Sequence, residues 1–288
     1  MNSLMNAMGF LTIIKIPGKY IQSKEKIADS LVYFPLVGLF IGAVISGFYF
    51  ALDLIMPVFL SIVPMIIFQV VITGGAHIDG LCDMSDGVFS GRSDKKKILE
   101  IMKKSDIGVY GVLAVIFLLM LKVSLIYYLA EIDPSRIIFF YIIILFMPAF
   151  GRWSMVYLIG RYNNARTEGS LARIFTDKKN KKKGLYISSI YLLILFLGTY
   201  IITGYFSSGG AQAIFPSSMA GDQLPIIIMI YLLVKVLSVI AIFFLLLLFV
   251  SWFFTRRIRG ITGDIIGGTS EIMEVLFLFV NFIIFKFL

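Results

Sequence analysis

The sequence predicts an all-α fold, a polytopic transmembrane helix bundle of about seven spans with a cytoplasmic N-terminus. Three observations lead there. Of the 288 residues, 59% are hydrophobic and 15% charged, against roughly 45–50% and about 25% in soluble domains. Apolar stretches near the ~20 residues needed to cross a bilayer recur along the whole chain. Lysine and arginine collect in alternate loops between them, as expected when basic loops stay in the cytoplasm.

In chain order, residues 1–14 are mildly apolar but lack a basic leader and a small-residue cleavage site, so they read as an interfacial helix and not a signal peptide. The candidate spans are 31–52, 57–75, 109–130, 137–160, 185–204, 225–253 and 270–288, the sixth long enough to tilt or to project from the bilayer. Lys15, Lys19, Lys24 and Lys26 precede the first span. Six basic residues from Arg92 to Lys104 separate the second from the third, and eight from Arg161 to Lys183 separate the fourth from the fifth. Arg256, Arg257 and Arg259 precede the seventh. The other three connections hold only Arg136, and Lys122, Arg152, Lys235 and Lys286 fall within spans. A missed or false span would have scrambled this alternation. The net charge of +9 therefore reads first as topology and second as affinity for anionic lipid or phosphate-bearing substrates. Cys82 is the only cysteine, so no intrachain disulfide can form. The whole chain, 1–288, reads as a single integral membrane domain in the cell membrane.

Three cytoplasmic segments, 74–111, 152–170 and 256–274, are dense in polar residues and glycine. In the first, Asp79, Asp83 and Asp86 follow an i, i+4, i+7 spacing that places them within roughly 60° of one another on a helix. Three carboxylates on one face at the edge of a low-dielectric bilayer repel and raise each other's pKa. A divalent cation removes that cost, and all-oxygen ligands favour Mg²⁺, Mn²⁺ or Ca²⁺ over zinc. The plainer alternative is a solvated acidic helix end. Against it stand Gly74, Gly75, Gly80 and Gly87 around the acids, permitting close backbone approach, and the basic character of the rest of the loop. His77 is the sole histidine and a candidate base for deprotonating a hydroxyl, although a lone histidine is more often a packed residue.

In the second segment, Arg152 lies within a span, where a guanidinium normally faces the bundle interior and pairs with a carboxylate or phosphate. Arg161 and Arg166 follow it, with Asn163, Asn164, Glu168 and Gly169. In the third, Asp264 follows Gly-Ile-Thr-Gly, and Glu271 and Glu274 sit one turn apart beside Gly267 and Gly268. The helix dipole alone would favour acids there, while their place at the membrane edge also suits binding. No Walker-type or dinucleotide-binding glycine motif is present.

These segments, in this order, resemble the cobalamin synthase, or adenosylcobinamide-GDP ribazoletransferase, family. The most specific match is to its GG-x-H-x-DG-x-x-D-x-x-DG pattern, here residues 74–87, continuing through 95–111. The Arg152-Trp153 pair, the stretch 162–169 (Tyr-Asn-Asn-Ala-Arg-Thr-Glu-Gly), residues 260–264 followed by Glu271, and residues 9–14 are also similar. The resemblance implies Mg²⁺-dependent joining of adenosylcobinamide-GDP to α-ribazole or its 5′-phosphate, with release of GMP. A ribose hydroxyl then attacks a pyrophosphate, and metal and cationic groups absorb the charge. On that basis Asp79, Asp83 and Asp86 are expected to hold the metal, and His77, Asp79 or Asp83 to act as base. Arg152, Arg161, Arg166 and Lys104 are candidate phosphate clamps, and Asp264 and Glu271 orient substrate or support the metal. The expected partners are these small molecules and the lipid bilayer, not nucleic acid, with a homo-oligomer left open.

One departure stands out. The family pattern Met-Lys-Asp-Ser-Arg-Ile-Gly reads Met-Lys-Lys-Ser-Asp-Ile-Gly at 102–108, exchanging acid and base at Lys104 and Asp106; a structural salt bridge tolerates that exchange, whereas an arginine that touches phosphate must be replaced in that contact by Lys104. Two rival readings are a CDP-alcohol-type phosphotransferase and a cation-coupled transporter. The first expects Ala-Arg where this chain has Leu81-Cys82, and the second expects charges near the bilayer middle of several spans.

Overall fold

The computed structural model describes residues 2–16, 27–104, 106–131, 137–166, 173–176, 181–207 and 224–287, with backbone only for 173, 204–207, 224–228 and 287. The expected loop 205–224 falls mostly outside these residues, as do Glu168 and Gly169. Among the described residues there is no strand, only an isolated bridge between Asn164 and Ile261. The helices are α1 (Asn2–Leu11), α2 (Phe34–Asp53, entered through a 3-10 turn at Asp29–Tyr33), α3 (Val58–Ile72), α4 (Ala76–Phe89), α5 (Lys95–Ile101), α6 (Val109–Glu131), α7 (Ile137–Arg161), α8 (Lys181–Ser207), α9 (Leu224–Ile258) and α10 (Gly263–Phe287), with a single turn at Arg173–Thr176.

Six stretches are long and apolar enough to cross a membrane: Asp29–Asp53, Val109–Glu131, Ile137–Arg161, Lys181–Thr203, Met229–Ile258 and Gly263–Lys286. The chain is a multi-pass membrane helix bundle. The expected second span differs in form. Its helix α3 has 15 residues, about 22 Å at 1.5 Å per residue, short of a ~30 Å hydrocarbon core. It then breaks, and α4 leaves at 88°. Counted as one broken span, the two bring the candidate crossings from six to seven. Gly74 and Gly75 cause the break, with φ of +65° and +70°, values at which a β-carbon is strained.

The windows of α7 and α10 are 67% buried, against 22% for α6 and α8, so α7 and α10 form the centre of the bundle and α6 and α8 the rim. Leu113, Phe117, Leu121, Ile190 and Ile194 on the rim helices are exposed, as suits a lipid-facing surface. At the centre, α2 meets α7 through Gly38 and Gly42, a small-xxx-small pair of the kind that lets membrane helices touch backbone to backbone. A β-carbon on Gly38 would lie 2.5 Å from the Ala149 Cα, and one on Gly42 would collide with the Leu145 carbonyl. Gly42→Leu should therefore destabilise the bundle by about 3 kcal/mol, read as a lowered melting temperature in detergent.

The basic segments meet at one end of the bundle. Arg166 pairs with Asp264 and also donates to the Met102 carbonyl, Lys181 donates to the Tyr162 carbonyl, and Arg257 reaches the Val88 carbonyl. The loops expected on one side of the membrane thus lie together in space.

Candidate functional site

Helix α4 carries the acids and is positioned by glycine. A β-carbon on Gly80 would lie 2.9 Å from the Asp264 carbonyl oxygen, and one on Gly268 would lie 2.9 Å from the Leu81 Cα. The start of α10 is therefore in backbone contact with α4, which brings Asp264 beside Asp79 and Asp83. Asp79 is exposed, while Asp83 and Asp264 are half-buried. The charges of Asp79, Asp264 and Asp86 crowd the half-buried Asp83 carboxyl. Among the described residues the one cation paired with these acids is Arg166, whose Nη2 lies 2.9 Å from Asp264 Oδ2. Asp79, Asp83, Asp264 and Arg166 thus come together at the basic end, from three segments that are far apart in the chain.

Asp86 has another task. Its Oδ2 accepts from the Gly108 amide at 2.7 Å and its Oδ1 from the Gly111 amide at 2.8 Å. The first turn of α6 has amides with no helical acceptor, and a buried carboxylate there satisfies them and complements the helix dipole. The i+7 member of the expected metal face thereby anchors α6 to α4. Among the described residues no three His, Cys, Asp or Glu side chains are placed to hold a metal ion by themselves. Asp79 and Asp83 still offer an all-oxygen pair. That suits Mg²⁺, which binds through one or two carboxylates and completes its shell with water and substrate phosphates.

Three expected site residues lie deeper. Arg152 is fully buried and pairs with Glu274, while its Nη2 lies 3.3 Å from His77 Nδ1. Lys122 bonds Glu271 at 3.1 Å and Glu274 at 2.5 Å, and Gln69 Nε2 donates to Glu274 at 2.7 Å. Glu274 stands eleven residues into α10, about 16 Å from its start and so close to the middle of a bilayer. Arg152 and Glu271, expected to bind substrate, are instead committed to a network of two cations and two carboxylates joining α3, α4, α6, α7 and α10. The reason is electrostatic, since an unpaired charge at that depth costs several kcal/mol. His77 is drawn into the same network. Arginine can only donate, so Nδ1 must accept, and the neutral ring keeps its proton on Nε2. That arrangement offers no basic nitrogen to the acids at the bundle end.

Arg161 and Lys104 are exposed. Lys104 and Asp106, the exchanged pair, form no salt bridge with each other among the described residues. Lys122, Gln69 and Glu274 were not expected as partners. Their signal in the sequence was their position, polar residues within apolar spans, which normally marks an interior contact. The same network places charge near the bilayer middle, where the transporter reading expects it, although its two cations and two carboxylates neutralise one another.

Residues 3–282 match the family described as cobalamin-5-phosphate synthase. Curated relatives carrying the name adenosylcobinamide-GDP ribazoletransferase include one from Desulforamulus reducens, 32% identical over 96% of this chain and 95% of its own length. One from Clostridium botulinum (strain Okra) is 32% identical over 97% of each chain. One from Alkaliphilus metalliredigens is 33% identical over 96% of this chain and 94% of its own. No solved structure gives a significant match.

Proposed function

The chain belongs to the cobalamin-5-phosphate synthase family, and from that premise we propose how its geometry serves the family's transferase reaction. The reaction joins adenosylcobinamide-GDP to α-ribazole or its 5′-phosphate. The ribazole hydroxyl oxygen bonds to the phosphorus that stays with the corrinoid, the P–O–P linkage breaks, GMP leaves, and the hydroxyl proton passes to a base.

The observation that carries the site assignment is the meeting of Asp79 and Asp83 on α4 with Asp264 and Arg166 at the basic end. Asp79 and Asp83 would hold Mg²⁺, which when bound supplies positive charge to a pyrophosphate. Arg166, already half-exposed on Asp264, is the guanidinium best placed to turn toward a phosphate. Asp264 keeps it oriented until then, and a carboxylate of the same cluster takes the hydroxyl proton. Asp86 holds the start of α6 against α4, and the deep network holds α4 from the other side through His77. We place the basic end in the cytoplasm of a cell membrane on the strength of its lysines and arginines.

Purified protein given Mg²⁺, adenosylcobinamide-GDP and α-ribazole phosphate should release GMP. Chelation by EDTA should stop release, and added Mg²⁺ should restore it. Absence of GMP under these conditions overturns the activity for this chain, while release that survives chelation overturns the metal assignment alone.

A further inference from the structure

At the end of α9 lies a second basic site, built from residues given no part in the transfer above. A cavity of about 670 Å³ is lined by Ser93, Asp94, Lys95, Arg256, Arg257 and Arg259. Its six lining residues all have polar side chains, four cations against one carboxylate. Asp94 is occupied in capping α5, where Oδ1 accepts from the Lys96 amide at 3.0 Å. Arg256 stacks on Trp252 with its guanidinium carbon 4.3 Å from the ring centroid, and Trp252 is exposed on the outside of the bundle. Arg257 Nη1 lies 3.5 Å from the Val88 carbonyl at the end of α4.

Arg259 is the informative member. It is the one non-glycine residue with positive φ among those described, at 52°. It occupies the position just past the end of α9, and the next amide, Gly260, bonds back to the Thr255 carbonyl at 3.2 Å. This is the helix-ending motif in which glycine normally fills the left-handed position. Here the glycine comes one residue later, and an arginine bears the strain. A residue held against its backbone preference signals that the side chain is wanted there, and this one completes the ring of cations.

We propose that Arg259, with Arg256, Arg257 and Lys95, forms a binding site for a phosphate ester, distinct from the acid cluster on α4. Three guanidinium groups match phosphate oxygens in geometry and charge. Two sources share this chemistry, the headgroup of an anionic phospholipid and the phosphates of a nucleotide. The lipid source is independent of the transfer reaction, whereas the nucleotide source rests on that reading, since the nucleotide would be the GDP group of its own substrate.

The test compares the wild-type full chain with Arg259→Gly, and with Lys182→Gln as a control for loss of an exposed charge at the same end. One arm measures retention of phosphatidylglycerol over phosphatidylcholine by native mass spectrometry of protein from mixed nanodiscs. The other titrates inorganic phosphate and GDP into protein in phosphatidylcholine nanodiscs. Arg259→Gly should weaken binding about tenfold in one arm, which identifies the source, while Lys182→Gln leaves it within about twofold. Because glycine relieves the strained φ, the same variant should melt about 2 °C higher, so lost binding cannot be ascribed to misfolding. Unchanged binding in both arms, or equal loss in Lys182→Gln, overturns the proposal.

Discussion

Asp83→Asn should lower GMP release by about 10²–10⁴-fold, the range a proton-transferring or charge-holding carboxylate usually contributes. The same variant should insert and melt like wild type, or slightly better. Among the described residues Asp83 makes no hydrogen bond or ion pair that its loss would break, and it is crowded by Asp79, Asp264 and Asp86, so removing its charge relieves repulsion. This pairing of lost activity with kept stability separates a chemical role from a structural one. Wild-type turnover in Asp83→Asn would remove the acid cluster from the mechanism, and a large fall in melting temperature would recast Asp83 as a structural residue.

Lys122→Met should have the opposite profile, with stability falling first. Lys122 is 1% exposed and holds both Glu271 and Glu274. Removing one partner of a buried ion pair typically costs about 3–5 kcal/mol, because the remaining charge is left uncompensated. The double variant Lys122→Met/Glu271→Gln removes one charge of each sign and should recover part of that loss, since Glu274 keeps Arg152 and Gln69. Thermal unfolding in detergent reads both. A single variant as stable as wild type, or a double variant no better than the single, would show that the network does not hold the helices together.

Most of the bundle was legible in the sequence because lipid imposes one rule over long windows. Apolar length and alternating loop charge locate spans without knowledge of their neighbours, and the ends of α6 and α7 lie within about a residue of expectation. The second span was harder to read. Composition over 57–75 looks continuous, but Gly74 and Gly75 turn the backbone, and a helical window is blind to a change of direction. The site divided in the same way. The spacing of Asp79 and Asp83 showed a shared helical face and the structure keeps it, whereas Asp86 turned to amides more than twenty residues away. Arg152, Lys122 and Glu274 show the limit most clearly. Each was visible as a charge in an apolar span, yet the choice of partner depends on which helices become neighbours. Local periodicity holds no record of that choice. The Gly38–Gly42 pair was readable as a close-packing motif, but only the bundle shows that α7 is what it meets.

The deep network also bears on how the chain is made. A ribosome delivers helices in order, and α6 and α7 bring Lys122 and Arg152 into the bilayer well before the residues that neutralise them exist. Each such cation costs roughly 2.5–3.5 kcal/mol at the centre of a membrane helix. Glu271 and Glu274 arrive on α10, the last helix described, together with the Asp264 that flanks the acid cluster. Biogenesis therefore passes through an incompletely neutralised intermediate, and one late insertion event both settles that debt and brings Asp264 to the acid cluster.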